Sequence, residues 1–262
     1  RRPGVRPLFS WHSGYRQVGD TRCAPPGRTV QTRGAITCED GSMTTGALEL
    51  PDTSQLEVDD AKDELRKVLR EHRRAHHRHP SSGHTAACEA LTEHALEAVA
   101  GAASVATFVS TGAEPCTRLL LERLHEAGVE VLLPVLGPHL ARCWGRFRGA
   151  GDLAERAPRR PPEPSGPALP AEEVRKVEAL LIPALAVDCD GRRLGQGGGW
   201  YDRMLPLRAP DTHTFAIIHP EELVAGPLPV EEHDESVDAV ITTQEWFLLA
   251  AGSPAHAGAL EA

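Results

Sequence analysis

"SVATFVSTGAEPCTRLLLERLHEAGVEVLLPV", residues 104–135, decides the fold class. Its first seven residues form a short run rich in β-branched and aromatic side chains, which reads as a strand. TGAE is a turn. PCTRLLLERLHEAG carries leucines at helical spacing, with Pro115 in its first turn and Gly128 at its end. On that placement Glu114 is the N-cap, a position that ordinarily takes Ser, Thr, Asp or Asn. VEVLLPV returns to a strand. Strand, helix and strand in this order make a βαβ unit, with the two strands parallel in one sheet and the helix on its face.

The flanking segments extend that unit. Upstream, VDDAKDELRKVLREHRRAHHRH places Val58, Ala61, Leu65, Val68 and Leu69 at helical spacing and stops at Pro80. HTAACEALTEHALEAVAGA is a second, Ala-rich helix closing near Gly101. Downstream, HLARCWGRF reads as another strand. Residues 149–173, with six prolines between Pro158 and Pro170, read as a long irregular surface loop. EALLIP, THTFAIIH and VDAVIT are further strands, and TQEWFLLA, residues 243–250, is expected as the last helix. The sum is a single layered α/β domain over about residues 57–250, a mainly parallel sheet flanked by helices. Residues 1–56, rich in Gly, Thr, Pro and Arg and without a sustained period, read as a flexible N-terminal extension, and residues 251–262 as a flexible tail.

Bulk properties narrow the function. The 262 residues are 40% hydrophobic but 4% aromatic, so the core must be built from Ala, Val and Leu. A net charge of −9 argues against a protein that coats nucleic acid. The six cysteines are scattered without metal-site spacing, so structural zinc is not expected and a reduced chain is the simplest reading. No apolar run approaches membrane-span length and no leader-like pattern opens the chain. His72, His76, His77 and His79 lie in or beside an arginine-rich helix end; with no acidic partner expected for them, they read as a solvated end. Asp188 and Asp190 need no more than turn chemistry.

The chemistry concentrates in RRLGQGGGWYDRML, residues 192–205, where four glycines fall within five positions. The P-loop pattern is absent, and Trp200 stands where a dinucleotide fingerprint needs its third glycine. Two readings of the glycines remain: a loose surface turn, or a loop whose backbone N–H groups point at a phosphate. WYDRML continues as a helix. Asp202 in its first turn would repel a phosphate unless Mg²⁺ sat between them. Trp200 and Tyr201 supply flat faces for a ring. Lys62 and Arg66 share one helix face, a stripe continued by Arg70 and Arg73, as a phosphate site or a merely solvated face would.

LIPALAVDCDGRRLGQGGGWYDRML, residues 181–205, resembles the signature of the 5-formyltetrahydrofolate cyclo-ligases, also called methenyltetrahydrofolate synthetases. The pieces are Pro183 to Asp188, Gly191 to Gly195, and Trp200-Tyr201-Asp202. Lys62, Leu65 and Arg66, then Glu114 and Thr117, then His233 and Asp234 in PVEEHDESVDAVIT match further family segments, so the resemblance covers about residues 60–245. It implies an ATP- and Mg²⁺-dependent carbon–nitrogen ligase that closes 5-formyltetrahydrofolate to 5,10-methenyltetrahydrofolate, releasing ADP and phosphate. Lys62, Arg66, Arg193 and Tyr201 would serve catalysis. The first three, with Leu194, Gly195, Gln196, Gly197, Gly198, Gly199, Trp200 and Tyr201, would hold ATP. Val109, Glu114 and the Gln196–Trp200 segment would border the folate, and Asp202 and Asp234 would hold Mg²⁺.

The implied protein is a cytoplasmic monomer acting on small molecules, with neither nucleic acid nor membrane as partner. Departures exist: Gln196 stands where many relatives carry a basic residue, Val187 replaces a Phe and Trp200 a Tyr. Gln196 keeps open an alternative, a non-catalytic folate or nucleotide binder of the same fold. A nucleic-acid-associated relative is disfavoured by the charge of −9.

Overall fold

The structure is a computed structural model that describes residues 48–77, 85–158 and 160–249. In chain order it contains helices α1 (Val58–His76) and α2 (Ala86–Ala98), strand β1 (Ser104–Ala106), helix α3 (Arg118–Glu126), and strands β2 (Glu130–Leu136) and β3 (Arg142–Arg146). A short antiparallel pair, β4 (Leu153–Ala154) and β5 (Glu163–Pro164), interrupts the proline-rich stretch. There follow β6 (Ala179–Pro183), β7 (Ala186–Asp188), β8 (Arg193–Leu194), α4 (Trp200–Met204), β9 (His213–Ile217), β10 (Leu223–Val224), β11 (Ala239–Ile241) and β12 (Trp246–Leu248).

Seven strands form the main sheet in the order β12-β11-β9-β6-β1-β2-β3. The five central strands run parallel, and one antiparallel strand closes each edge. The layered α/β expectation holds, and the βαβ unit of residues 104–135 lies within it. Each central strand is buried on both faces, and its side chains alternate between two cores. Val131, Leu133, Leu181, Phe215 and Ile217 face α2 and α3. Leu132, Leu180, Ile182, Ala216 and Val240 face Trp144, Met204 and Leu205 on the other side. A smaller sheet, β10-β7-β8, receives α1 through Leu65 and Leu69. Leu48 and Leu50, which the sequence reading leaves in the extension, pack on this third core, and the Leu48 N–H donates to the Glu221 carbonyl at 2.9 Å.

α1 is fixed by charge as well as by leucines. Arg73 turns inward instead of continuing the exposed stripe. Its Nε donates to Glu222 Oε1 at 2.5 Å, and its Nη2 donates to Glu222 Oε2 at 2.7 Å and to the Ala184 carbonyl at 2.5 Å. Both side chains are buried, so the pair anchors the helix to the chain just beyond β6.

Two expectations need correction. TQEWFLLA is no helix: Trp246–Leu248 is the edge strand β12, antiparallel to β11. The Thr242 hydroxyl, accepting from the N–H groups of Gln244 and Glu245 at 3.1 Å each, makes the turn between the two strands. Helix α3 starts at Arg118 behind Thr117, not at Pro115, so Glu114 is not its N-cap. Among the described residues, Cys88, Cys116 and Cys143 are free.

Candidate active site

The sheet itself points to the site. From β1 the chain crosses to β2 on one side, whereas from β6 it proceeds to β9 on the other, so the order reverses between β1 and β6. Open α/β sheets bind ligands at such a reversal, beyond the carboxyl ends of the strands. There a cavity of about 230 Å³ opens, walled by Phe108 and Val109 after β1, Pro183 at the end of β6, and Pro134 and Val135 of β2. Trp200, Tyr201 and Glu114 complete it from the direction of the glycine loop.

Glu114 is held by its own loop. Thr117 and Ser110 clasp each other: Thr117 N–H donates to Ser110 Oγ at 3.0 Å, and Ser110 N–H donates to Thr117 Oγ1 at 2.9 Å. Within that clasp, Thr111 N–H and Oγ1 donate to Glu114 Oε2 at 2.8 and 3.2 Å. Burial pushes the Glu114 carboxyl above its ordinary value, despite the Thr111 and Gln196 hydrogen bonds and the charge of Arg73. Tyr201 faces the same cavity. Its hydroxyl is buried without a hydrogen-bond partner, and burial with the nearby Glu114 charge raises its ionisation well above a normal phenol. It is therefore a neutral O–H donor at the cavity wall.

The glycine loop is ringed by arginines. Arg66 Nε donates to the Gly195 carbonyl at 3.1 Å, Arg70 Nη2 to the Gln196 carbonyl at 2.6 Å, and Arg142 Nη2 to the Gly198 carbonyl at 3.4 Å. A Cβ at Gly195 would lie 2.6 Å from Arg193 Nη1, and one at Gly197 would lie 3.3 Å from Arg66 Nε, with φ at +87° besides. These two glycines make room for guanidiniums. Gly198 faces open space, with nothing within 4 Å of its Cβ position. The Gln196 amide accepts from Arg70 Nε at 3.2 Å and hydrogen-bonds Glu114, so it bridges the loop to the cavity.

Lys62 is buried between two carboxylates, with Nζ 2.5 Å from both Glu231 Oε2 and Asp234 Oδ2. Burial alone would lower its pKa, but the two carboxylates outweigh it and hold the ammonium charged. Arg193, also buried, pairs with Asp202, and its Nε has no partner. The sequence reading assigns Asp202 and Asp234 to one Mg²⁺, but the structure gives each a different cation. Glu231, His233 and Asp234 do bring one ligand atom each within 4.8 Å of one another.

Val109, Glu114, Trp200 and Tyr201 thus meet at the cavity, and Arg66 meets the loop. Arg70, Arg142, Glu231 and Glu163 were not assigned from sequence. Arg70 carried a signal, four residues beyond Arg66 on the same helix face. Glu163, buried at the cavity wall and accepting from the Leu136 N–H at 3.3 Å, lies in the stretch read as surface loop. The histidine reading is corrected too. An acidic partner exists, because Glu221 Oε1 lies 2.5 Å from His77 Nε2. His79 lies outside the described residues.

Fold and site define a doubly layered α/β protein with an arginine-ringed glycine loop at the mouth of a carboxylate-bearing cavity. A sequence model of the 5-formyltetrahydrofolate cyclo-ligase family matches residues 58–243, and the chain belongs to that family. It is 36% identical over 188 residues to a 5-formyltetrahydrofolate cyclo-ligase of Mycolicibacterium smegmatis, covering 70% of this chain and 93% of that one. It is 34% identical over 151 residues to the cyclo-ligase of Escherichia coli, covering 55% and 81%. Among solved structures, Aquifex aeolicus 5,10-methenyltetrahydrofolate synthetase superposes with a TM-score of 0.56 at 22% identity, covering 76% of this chain and 99% of that chain. The Mycoplasma pneumoniae synthetase gives 0.51 at 15% identity, covering 70% and 98%, so these two speak for the fold.

Proposed function

We propose that this chain closes 5-formyltetrahydrofolate to 5,10-methenyltetrahydrofolate, converting ATP to ADP and phosphate. The observation that carries the reading is the cavity with Glu114 and the Tyr201 hydroxyl at the sheet reversal, opening beside the arginine-ringed loop. The formamide oxygen of the substrate is a poor leaving group. Transfer of the γ-phosphoryl group to it, with ADP departing, makes it a good one. N10 of the same folate then forms the new C–N bond and gives up its proton to solvent as the C–O bond breaks and phosphate leaves. No side chain need be covalently modified, so the protein's task is alignment and charge neutralisation.

Lys62, Arg66, Arg193 and the loop from Leu194 to Tyr201 take the phosphates in this proposal, with Arg70 and Arg142 added. Val109, Glu114 and the Gln196–Trp200 segment border the folate, and Tyr201 donates from the wall. Mg²⁺ prefers oxygen ligands, which Asp234 and Glu231 offer once a phosphate draws Lys62 away, with Asp202 as the further carboxylate of the loop. When bound, the ion would neutralise phosphate charge. The protein acts as a monomer in the cytoplasm, where MgATP is supplied.

An anaerobic absorbance assay for the methenyl product, with and without MgATP, tests the reaction. ATP-independent silence with retained folate binding would instead favour the non-catalytic binder. Two variants probe the parts. Gly198→Ala adds a methyl into open space at a position without a left-handed backbone. Its melting temperature should match the parent while KM for ATP rises about tenfold, roughly 1.4 kcal/mol; a mere surface turn would leave KM unchanged.

Glu114 supplies the pH test. A carboxylate with a raised pKa loses its charge, and its acceptor role, as pH falls through that value. KM for the folate should therefore climb on the acid side, beginning above the ordinary carboxylate value of about 4.3. Glu114→Gln should have a higher KM without this limb, and identical pH profiles for parent and variant would remove Glu114 from the folate site.

A further inference from the structure

The C-terminal end of α1 carries a group of ligand-type side chains that the proposed reaction does not use. His72, His77 and Glu221 each bring one ligand atom within 4.8 Å of the others. His77 Nε2 is 2.5 Å and His72 Nδ1 is 3.9 Å from Glu221 Oε1. His72 and His77 come from one helix end, and Glu221 from the connection between β9 and β10, 144 residues beyond His77. Among these donors, His72 Nδ1 is buried without a hydrogen-bond partner.

The surroundings hold the rings in place. His77 stacks on His219 with centroids 3.5 Å apart and planes 7° from parallel, and His72 stacks on His76 at 4.2 Å. His219 is itself fixed by a 2.9 Å hydrogen bond to the Ala113 carbonyl.

We propose that His72, His77 and Glu221 form a binding site for a borderline divalent cation, Zn²⁺ above all, distinct from the Mg²⁺ of the reaction. Two imidazoles and one carboxylate suit Zn²⁺, whereas Mg²⁺ demands an oxygen shell. Ligand bonds of about 2.0–2.1 Å place tetrahedral donor atoms about 3.3 Å apart. The observed separations straddle that spacing, so rotations of the side chains by about an ångström close the site. Three protein ligands leave one position for water. The ion would tie the end of α1, whose earlier turns carry Lys62, Arg66 and Arg70, to the β9–β10 connection.

The test uses untagged full-length chain, freed of metal by chelation, because the chain already has 13 histidines. Zn²⁺ titrated by calorimetry should bind at one equivalent with micromolar or tighter affinity and raise the melting temperature by several degrees. Co²⁺ should give the visible bands of a four-coordinate site. His77→Gln and Glu221→Gln should each weaken Zn²⁺ binding about tenfold or more, while His233→Ala, in the separate Glu231-His233-Asp234 group, should not. Should either variant fail to fold, His72→Gln decides, since its Nδ1 has no partner to lose. Absence of stoichiometric Zn²⁺ binding by the parent chain, undiminished binding by His72→Gln, or displacement by equimolar Mg²⁺ would each overturn the proposal.

Discussion

Lys62→Met should lower kcat/KM for ATP by about 10³-fold, roughly 4 kcal/mol of transition-state stabilisation. The methionine matches the buried stem but removes the ammonium that would meet the transferring phosphoryl group. The structure also shows how a purely structural role could mimic this loss. Lys62 neutralises Glu231 and Asp234, each 2.5 Å from Nζ, and the variant leaves two carboxylates facing each other. Adding Glu231→Gln and Asp234→Asn separates fold repair from turnover, although both carboxylates are also the Mg²⁺ candidates. In the triple variant the melting temperature should return towards the parent value, while activity stays at the level of Lys62→Met or below. Recovery of turnover together with stability would show that Lys62 only balances the two carboxylates.

The sequence made the parallel core legible because its signals are local. Leu119, Leu120 and Leu124 repeat at helical spacing, and the runs at 130–136 and 179–183 are apolar enough to be buried on both faces. Residues 246–248 were not legible in that way. A short apolar run has no period of its own, and here pairing with β11 chooses strand over helix. The site divides similarly. The glycine loop and the basic helix face are each a local pattern in sequence, and the family resemblance adds their roles; only the fold brings Arg66 and Arg70 onto the loop. The Lys62 carboxylates, the Arg73–Glu222 pair and the approach of Glu221 to His77 join residues more than 140 positions apart, and only the folded sheet brings them together. Glu114 shows a misplacement with a correct suspicion: it is a poor helix cap because it is not a cap, but a carboxylate held by Thr111 at the cavity.

Glu222→Ala should be the most damaging change to stability outside the cavity. Glu222 is fully buried and Arg73 nearly so, and the alanine leaves the guanidinium with the Ala184 carbonyl but without its hydrogen-bonded carboxylate. It also strips the His219 N–H of its acceptor at 2.8 Å. Breaking a buried pair on one side costs about 3–5 kcal/mol, which for a domain of this size lowers the melting temperature by about 6–20 °C. Arg73→Leu should be milder, because a carboxyl can escape its burial by taking up a proton whereas a guanidinium cannot. Burial already pushes the Glu222 carboxyl upward, and without Arg73 it rises further. A raised carboxyl gains stability as pH falls, so Arg73→Leu should regain part of its loss between neutral and mildly acidic pH, and Glu222→Ala should not. The double variant Arg73→Leu/Glu222→Leu removes both charges and should be more stable than Glu222→Ala alone, since apolar replacement of a buried pair is often neutral or favourable. Thermal unfolding of the three variants across pH checks the argument. A double variant as unstable as Glu222→Ala, with no pH difference between the two single ones, would assign the loss to packing instead of an unpaired guanidinium.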